Sequence, residues 1–156
     1  GGLTTLDKVI AWAISEYDVD SEWVCTLYAT AVLLSPQTLQ VANHKVTATG
    51  PETDFVMSLL AYPHPIQRAV KVEDGIVRML HPEYALTRTQ DLDPYYHDAA
   101  QFVFGRRDAW IAGKTVWNSP TQGVIVPPDE AVDIDTPDDL ELARLRLKQK
   151  LKLLMT

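Results

Sequence analysis

The sequence predicts an α/β fold: a sheet covered by helices on both faces, with an antiparallel arm inserted into it. Three observations predict it. Short runs apolar on both sides alternate with stretches of helical period, an Asp-Gly pair separates two β-rich runs, and the last helix carries explicit start signals. With 46% hydrophobic and 22% charged residues over 156 positions, the chain suits one domain, residues 1–156, with a core of its own.

The elements follow in order. Thr4 or Thr5 caps a first helix in which Leu6, Val9, Ile10, Ala13 and Ile14 share a face, ending near residues 17–21. Trp23 to Tyr28 is apolar on both sides, as a central strand of a parallel sheet requires, and its Cys25 is expected to be a buried thiol. Ser35-Pro36 starts a second helix that fades by Thr49-Gly50, and Phe55 to Leu60 repeats the strand signal. Residues 66–72 and 76–80 flank Glu73-Asp74-Gly75, a hairpin turn, so residues 62–97 form the inserted arm, with 81–96 an ordered loop. Further strands at Gln101–Phe104 and Gly123–Val126 are separated by a short helix around 108–112. Thr136 then caps a last helix, Pro137 takes its first position, and Asp138, Asp139 and Glu141 favour its positive end. The tryptophans Trp12, Trp23, Trp110 and Trp117 are read as packing residues.

The net charge of −7 and pI near 4.9 argue against nucleic acid and anionic membrane as partners. No apolar run approaches the ~20 residues that cross a bilayer, and no secretion signal precedes the fold, so the expected location is cytoplasmic.

The most informative string is Asp133-Ile134-Asp135-Thr136-Pro137-Asp138-Asp139-Leu140. Two carboxylates one residue apart face the same side of an extended segment and can hold a hard cation such as Mg²⁺. Such an ion would neutralise phosphate charge in nucleotidyl transfer. Asp138 and Asp139, inside the helix start, are read instead as satisfying its dipole.

This string closely resembles the C-terminal motif of the acylneuraminate cytidylyltransferases. Leu27 to Leu34 (LYATAVLL), Tyr62 to Val70 (YPHPIQRAV), Pro82 to Leu92 (PEYALTRTQDL) and Tyr95 to Phe104 (YYHDAAQFVF) resemble the family's pseudaminic acid branch, in order, from near Ser21 to Leu145. The resemblance implies a three-layer nucleotidyltransferase (Rossmann-like) sheet, Mg²⁺ as cofactor, CTP and an acidic nonulosonic sugar as substrates, and a homodimer. It also implies that the family's first strand and its glycine-rich phosphate loop are missing here, so that this chain alone is expected to be inactive.

Residue by residue, the resemblance makes Asp133 and Asp135 the metal-holding, catalytic pair. Tyr28 falls where sialic acid members place a sugar-contacting glutamine, and Asp98 falls near the asparagine of their Asn-Gly-Ala segment. Gln101 and Phe102 continue that strand toward the sugar. His97 is either a base for the sugar hydroxyl or a hydrogen-bonding pocket residue. Gln67, Arg68, Arg88 and Gln90 match branch strings and serve either the acidic sugar or the dimer arm; a guanidinium fork suits a carboxylate. Two departures stand out: Val32 replaces a usual proline, and Ala100-Gln101-Phe102-Val103-Phe104 replaces the branch's Gly-Gln-Phe-Tyr-Trp. A metal-dependent glycosyltransferase using a nucleotide sugar, or a non-catalytic dimerising fragment, are the alternatives.

Overall fold

The structure, a computed structural model, describes residues 5–154. Its elements run α1 (Leu6–Glu16), β1 (Trp23–Leu27), α2 (Pro36–Ala48), β2 (Phe55–Ala61), β3 (Val70–Glu73), β4 (Ile76–Met79), β5 (Tyr96–Arg106), α3 (Arg107–Ile111), β6 (Thr121–Ile125) and α4 (Pro137–Leu154). Short 3-10 turns lie at Ile66–Arg68, Pro82–Tyr84, Thr89–Asp91 and Pro128–Glu130.

The main sheet has the order β1-β5-β2-β6, and β3 and β4 make a separate two-stranded hairpin. Apolar side chains fill both faces. Ile10 and Ile14 of α1 and Ala109 and Trp110 of α3 pack on Phe55, Met57 and Val103. On the opposite face, Ala42 and Val46 of α2 pack on Val56, Phe102 and Val124. Alternate residues of β2 and β5 thus feed opposite cores, which explains why both strands read as continuous apolar runs.

Two expectations are corrected. The sheet is mixed, because β5 runs antiparallel between β1 and β2, while β2 and β6 are parallel. Among the described residues β1 pairs only with β5, so it is an edge strand, and Cys25 is exposed rather than buried. β5 pairs through both of its edges, residues 102–106 meeting β1 on one side and residues 103–105 and 96–98 meeting β2 on the other, and apolar composition does not encode which neighbour a strand takes.

The hairpin forms where expected. Asp74 and Gly75 both adopt positive φ (51° and 78°), the turn that matches strand twist. Thr5 stands at the N-cap of α1 without a side-chain cap bond, and Thr4 lies outside the described residues. Ser35 caps α2 as expected, its hydroxyl accepting from Thr38 N at 3.1 Å. Trp110 is buried and Trp23 carries the Arg106 guanidinium 4.6 Å from its ring centre, but Trp12 and Trp117 are exposed and are not core residues.

Candidate functional site

Strand direction decides where functional groups gather. β1 and β2 both run against β5, and β6 runs with β2, so β1, β2 and β6 end at one edge of the sheet, where β5 begins. Ligands of open α/β sheets bind outside the carboxyl ends of such strands. Tyr28, Tyr62, His97, Asp98 and the segment following β6 all lie at that edge.

A bulge in β5 shapes it. Met57 pairs with Val103 but Leu59 pairs with Asp98, so extra residues of β5 face the single residue Ser58. Ser58 is fully buried, and its hydroxyl accepts from Gln101 N at 3.2 Å and Phe102 N at 3.1 Å while donating to Phe102 O at 3.1 Å. One hydroxyl therefore replaces the interrupted ladder. Asp98 Oδ1 accepts from Ala100 N at 2.8 Å, which helps hold Ala100 at φ 49°. Beyond the bulge, Gln101 O accepts from Tyr28 N at 3.0 Å, which fixes the exit of β1.

Tyr28 and Asp98 come together in a cavity of about 180 Å³ whose lining also includes Asp7, Ile10, Trp110 and Trp117. Burial raises the Tyr28 phenol above its ordinary value, and the negative charges of Asp98 and Asp7 raise it further. Two carboxylates and a protonated phenol suit hydrogen-bond donors of a ligand and repel an anion. His97 lies beside this cavity: its Nδ1 is 2.8 Å from Asp98 O, and its ring centre is 4.9 Å from that of Tyr62. A carbonyl can only accept, so Nδ1 carries the proton and Nε2 is left as the acceptor of the neutral ring.

The other predicted residues are placed differently. Phe102 is completely buried in the core beneath α2. Gln101 is buried, with Nε2 donating to Ala99 O at 2.9 Å. Gln67 is buried at the base of the arm, where Nε2 donates to Asp93 O at 2.8 Å. The side-chain oxygens of both glutamines have no partner among the described residues. Arg68 donates to Thr87 O, tying the two limbs of the arm, and Arg88 and Gln90 are exposed on the arm's outer turn.

Asp133 and Asp135 are exposed on the irregular segment ahead of α4, with the half-buried Ile134 between them and the buried Val132 just before. Val132 and Ile134 pack with Leu33 of the β1–α2 loop and Ala143 of α4. Among the described residues neither carboxylate has an ion pair or hydrogen bond. Asp139, by contrast, is engaged at the helix start. Its Oδ2 accepts from Asp135 N at 3.2 Å, Thr136 N at 2.9 Å and Thr136 Oγ1 at 2.7 Å, and these bonds hold its carboxyl below the usual range. Asp133 and Asp135 do not line the cavity of Tyr28 and Asp98.

The sequence reading missed Ser58, Asp7 and Glu130. A lone serine within the apolar run of β2 was a usable signal, because a buried hydroxyl needs partners. Asp7 looks like a helix-start acid and Glu130 like one more acid in an acidic stretch, so neither announced its place.

No protein-family model matches the chain. Two pseudaminic acid cytidylyltransferases of Campylobacter jejuni, from serotypes O:23/36 and O:2, are each 35% identical to it over 126 residues, covering 80% of this chain and 53% of theirs. A Helicobacter pylori protein named pseudaminic acid cytidylyltransferase and UDP-2,4-diacetamido-2,4,6-trideoxy-beta-L-altropyranose hydrolase is 30% identical over 132 residues, 84% of this chain and 25% of its own length. The chain thus spans about half the length of the Campylobacter relatives it matches. Across 80% of its length the chain is a homologue of the pseudaminic acid cytidylyltransferases.

Proposed function

We propose that this chain forms the sugar-side and metal-holding part of a cytidylyltransferase that joins CTP to an acidic nine-carbon sugar of the pseudaminic acid type, giving the CMP-sugar and pyrophosphate. The observation that carries the reading is the pair Asp133 and Asp135: both exposed, without partners among the described residues, and separated by Ile134, which packs inward together with Val132.

This donor set fits Mg²⁺. Carboxylate oxygens are the donors Mg²⁺ takes, and one or two of them suffice where water and phosphate oxygens complete its sphere; among the described residues no larger group of His, Cys, Asp or Glu side chains is placed to hold a metal. When bound, the ion supplies neutralisation of phosphate charge. The chain's own residues supply orientation. Asp98 and Tyr28 accept or donate at sugar hydroxyl or amide groups, and Nε2 of His97 is available to take a hydroxyl proton. The acidity of that cavity disfavours an anion there, which supports Arg68 or Arg88 of the arm as partners of the sugar carboxylate, their other expected role being in the dimer arm.

The arm also supports a homodimer. Val70, Val72, Val77 and Met79 share one face of the β3–β4 hairpin by register, and the three valines are 52–65% exposed. A two-stranded hairpin is marginal in water without cover, and a second copy would supply it.

The test is Mg²⁺-dependent binding of CTP, measured by calorimetry on the parent, Asp133→Asn and Asp135→Asn, with pyrophosphate release assayed in parallel. The reading expects metal-dependent CTP binding in the parent, a large loss of it in both variants, and little or no pyrophosphate release by this chain alone. Undiminished metal-dependent binding in both variants would refute it.

A further inference from the structure

The acidic pair sits on a segment with no regular secondary structure of its own, yet its position is fixed at both ends by carboxylate side chains that the proposed chemistry does not use. At the near end, Glu130 is buried at the last position of a 3-10 turn, and its Oε2 accepts from Ser35 N at 2.9 Å and Thr38 Oγ1 at 2.7 Å. Ser35 and Thr38 belong to the cap and first turn of α2, so this one oxygen joins the segment after β6 to the start of a helix some 95 positions earlier. At the far end, Asp139 gathers Asp135 N, Thr136 N and the Thr136 hydroxyl. Lys150 of α4 braces the same turn, 3.2 Å from Asp129 Oδ2 and 3.4 Å from Leu33 O.

We infer that Glu130 is a positioning residue for Asp133 and Asp135: it anchors the start of their segment to α2, so that, with Asp139 at the other end, both carboxylates are presented outward as a pair. The inference rests on the metal reading given above. The physical reason is local. Only Val132 and Ile134 pack inward between the anchors, and a one-residue slip would exchange the inward and outward sets. A buried carboxylate bonded to two fixed donors on another element prevents that slip more firmly than apolar contact alone, because each donor would be left unpaired. Outer groups that orient metal-holding carboxylates are typically worth roughly 10–100-fold in metal affinity.

The experiment uses Mn²⁺ as a paramagnetic stand-in for Mg²⁺, titrated into the whole chain and followed by electron paramagnetic resonance. Backbone amide resonances of residues 132–135 are recorded in the metal-free protein. Glu130→Ala should weaken Mn²⁺ binding about tenfold and shift the amides of residues 132–135. Glu130→Gln keeps an acceptor oxygen where Oε2 stands and should restore both. If Glu130→Ala does not fold, Thr38→Ala, which removes one donor and leaves the Ser35 cap, decides: it should weaken binding in the same sense by a smaller factor. A folded Glu130→Ala or Thr38→Ala protein with unchanged amides and unchanged Mn²⁺ affinity overturns the inference. Failure of the underlying metal reading is distinct: parent protein and Asp133→Asn would then show the same Mn²⁺ affinity, while the amide shifts of Glu130→Ala would still report whether Glu130 sets the segment.

Discussion

Ala100→Gly should stabilise the protein, although it removes a methyl group from a half-buried strand position. Ala100 has φ 49°, a left-handed conformation; Asp18 and Asp74, also left-handed, have polar side chains that tolerate it, whereas alanine has none. An L side chain there costs roughly 1–2 kcal/mol, which glycine removes. Against this, glycine widens the unfolded ensemble, a loss of about 0.4–1 kcal/mol. The difference is a gain of about 0–1.6 kcal/mol, centred at ~0.8 kcal/mol, or ~2–3 °C in Tm at that centre for a chain of this size. The assay is urea unfolding followed by Trp fluorescence, with thermal melts in parallel. Ala99→Gly is the matched control: Ala99 is 8% exposed, packs beneath α2 and has no positive φ, so the same change should cost about 1 kcal/mol. Equal destabilisation by both changes would refute the claim that the bulge holds strain at Ala100.

Other predictions follow from the packing and charge. Gly105→Ala places a Cβ against the Trp110 indole and 2.7 Å from Phe55 Cε1, and should cost about 1–3 kcal/mol by denaturant unfolding. Burial of Glu130 raises its carboxyl pKa, but hydrogen bonds from Ser35 and Thr38 and the charge of Lys150 outweigh this, and the net shift is downward. Its folded value lies below its unfolded one, so its ionised form contributes stability above the unfolded value of 4.5, and that contribution is lost as pH falls through the folded value. The stability gap between the parent and Glu130→Gln should therefore narrow between neutral pH and below pH ~4 in pH-dependent urea unfolding. Val72→Glu with Val77→Glu puts charge on the hairpin's apolar face and should convert a dimer to a monomer in sedimentation velocity; an unchanged dimer would remove the arm from the interface.

Much of the fold was legible because its signals are local. Ser35-Pro36 and Thr136-Pro137 marked helix starts through backbone chemistry that needs no distant partner, and Asp74-Gly75 marked its turn through the positive φ that glycine permits. What stayed hidden is long-range. β1 and β5 are separated by about eighty positions, and nothing in Trp23 to Leu27 states that its neighbour runs antiparallel or that Cys25 faces outward. The site divides the same way. The spacing of Asp133 and Asp135 is visible in the sequence, whereas the bonds of Glu130 to Ser35 and Thr38 exist only once folding brings those residues near. Gln67 and Phe102 were singled out by resemblance, and the structure places one at the base of the arm and the other in the core.

The central claim is that Asp133 and Asp135 hold a divalent ion against a nucleotide's phosphates. Mn²⁺ titration of the parent, Asp133→Asn and Asp135→Asn, each with and without CTP, tests it most directly. CTP should tighten Mn²⁺ binding in the parent, and either change should weaken binding at least about tenfold. Equal Mn²⁺ affinity in all three proteins, with CTP present, would contradict it.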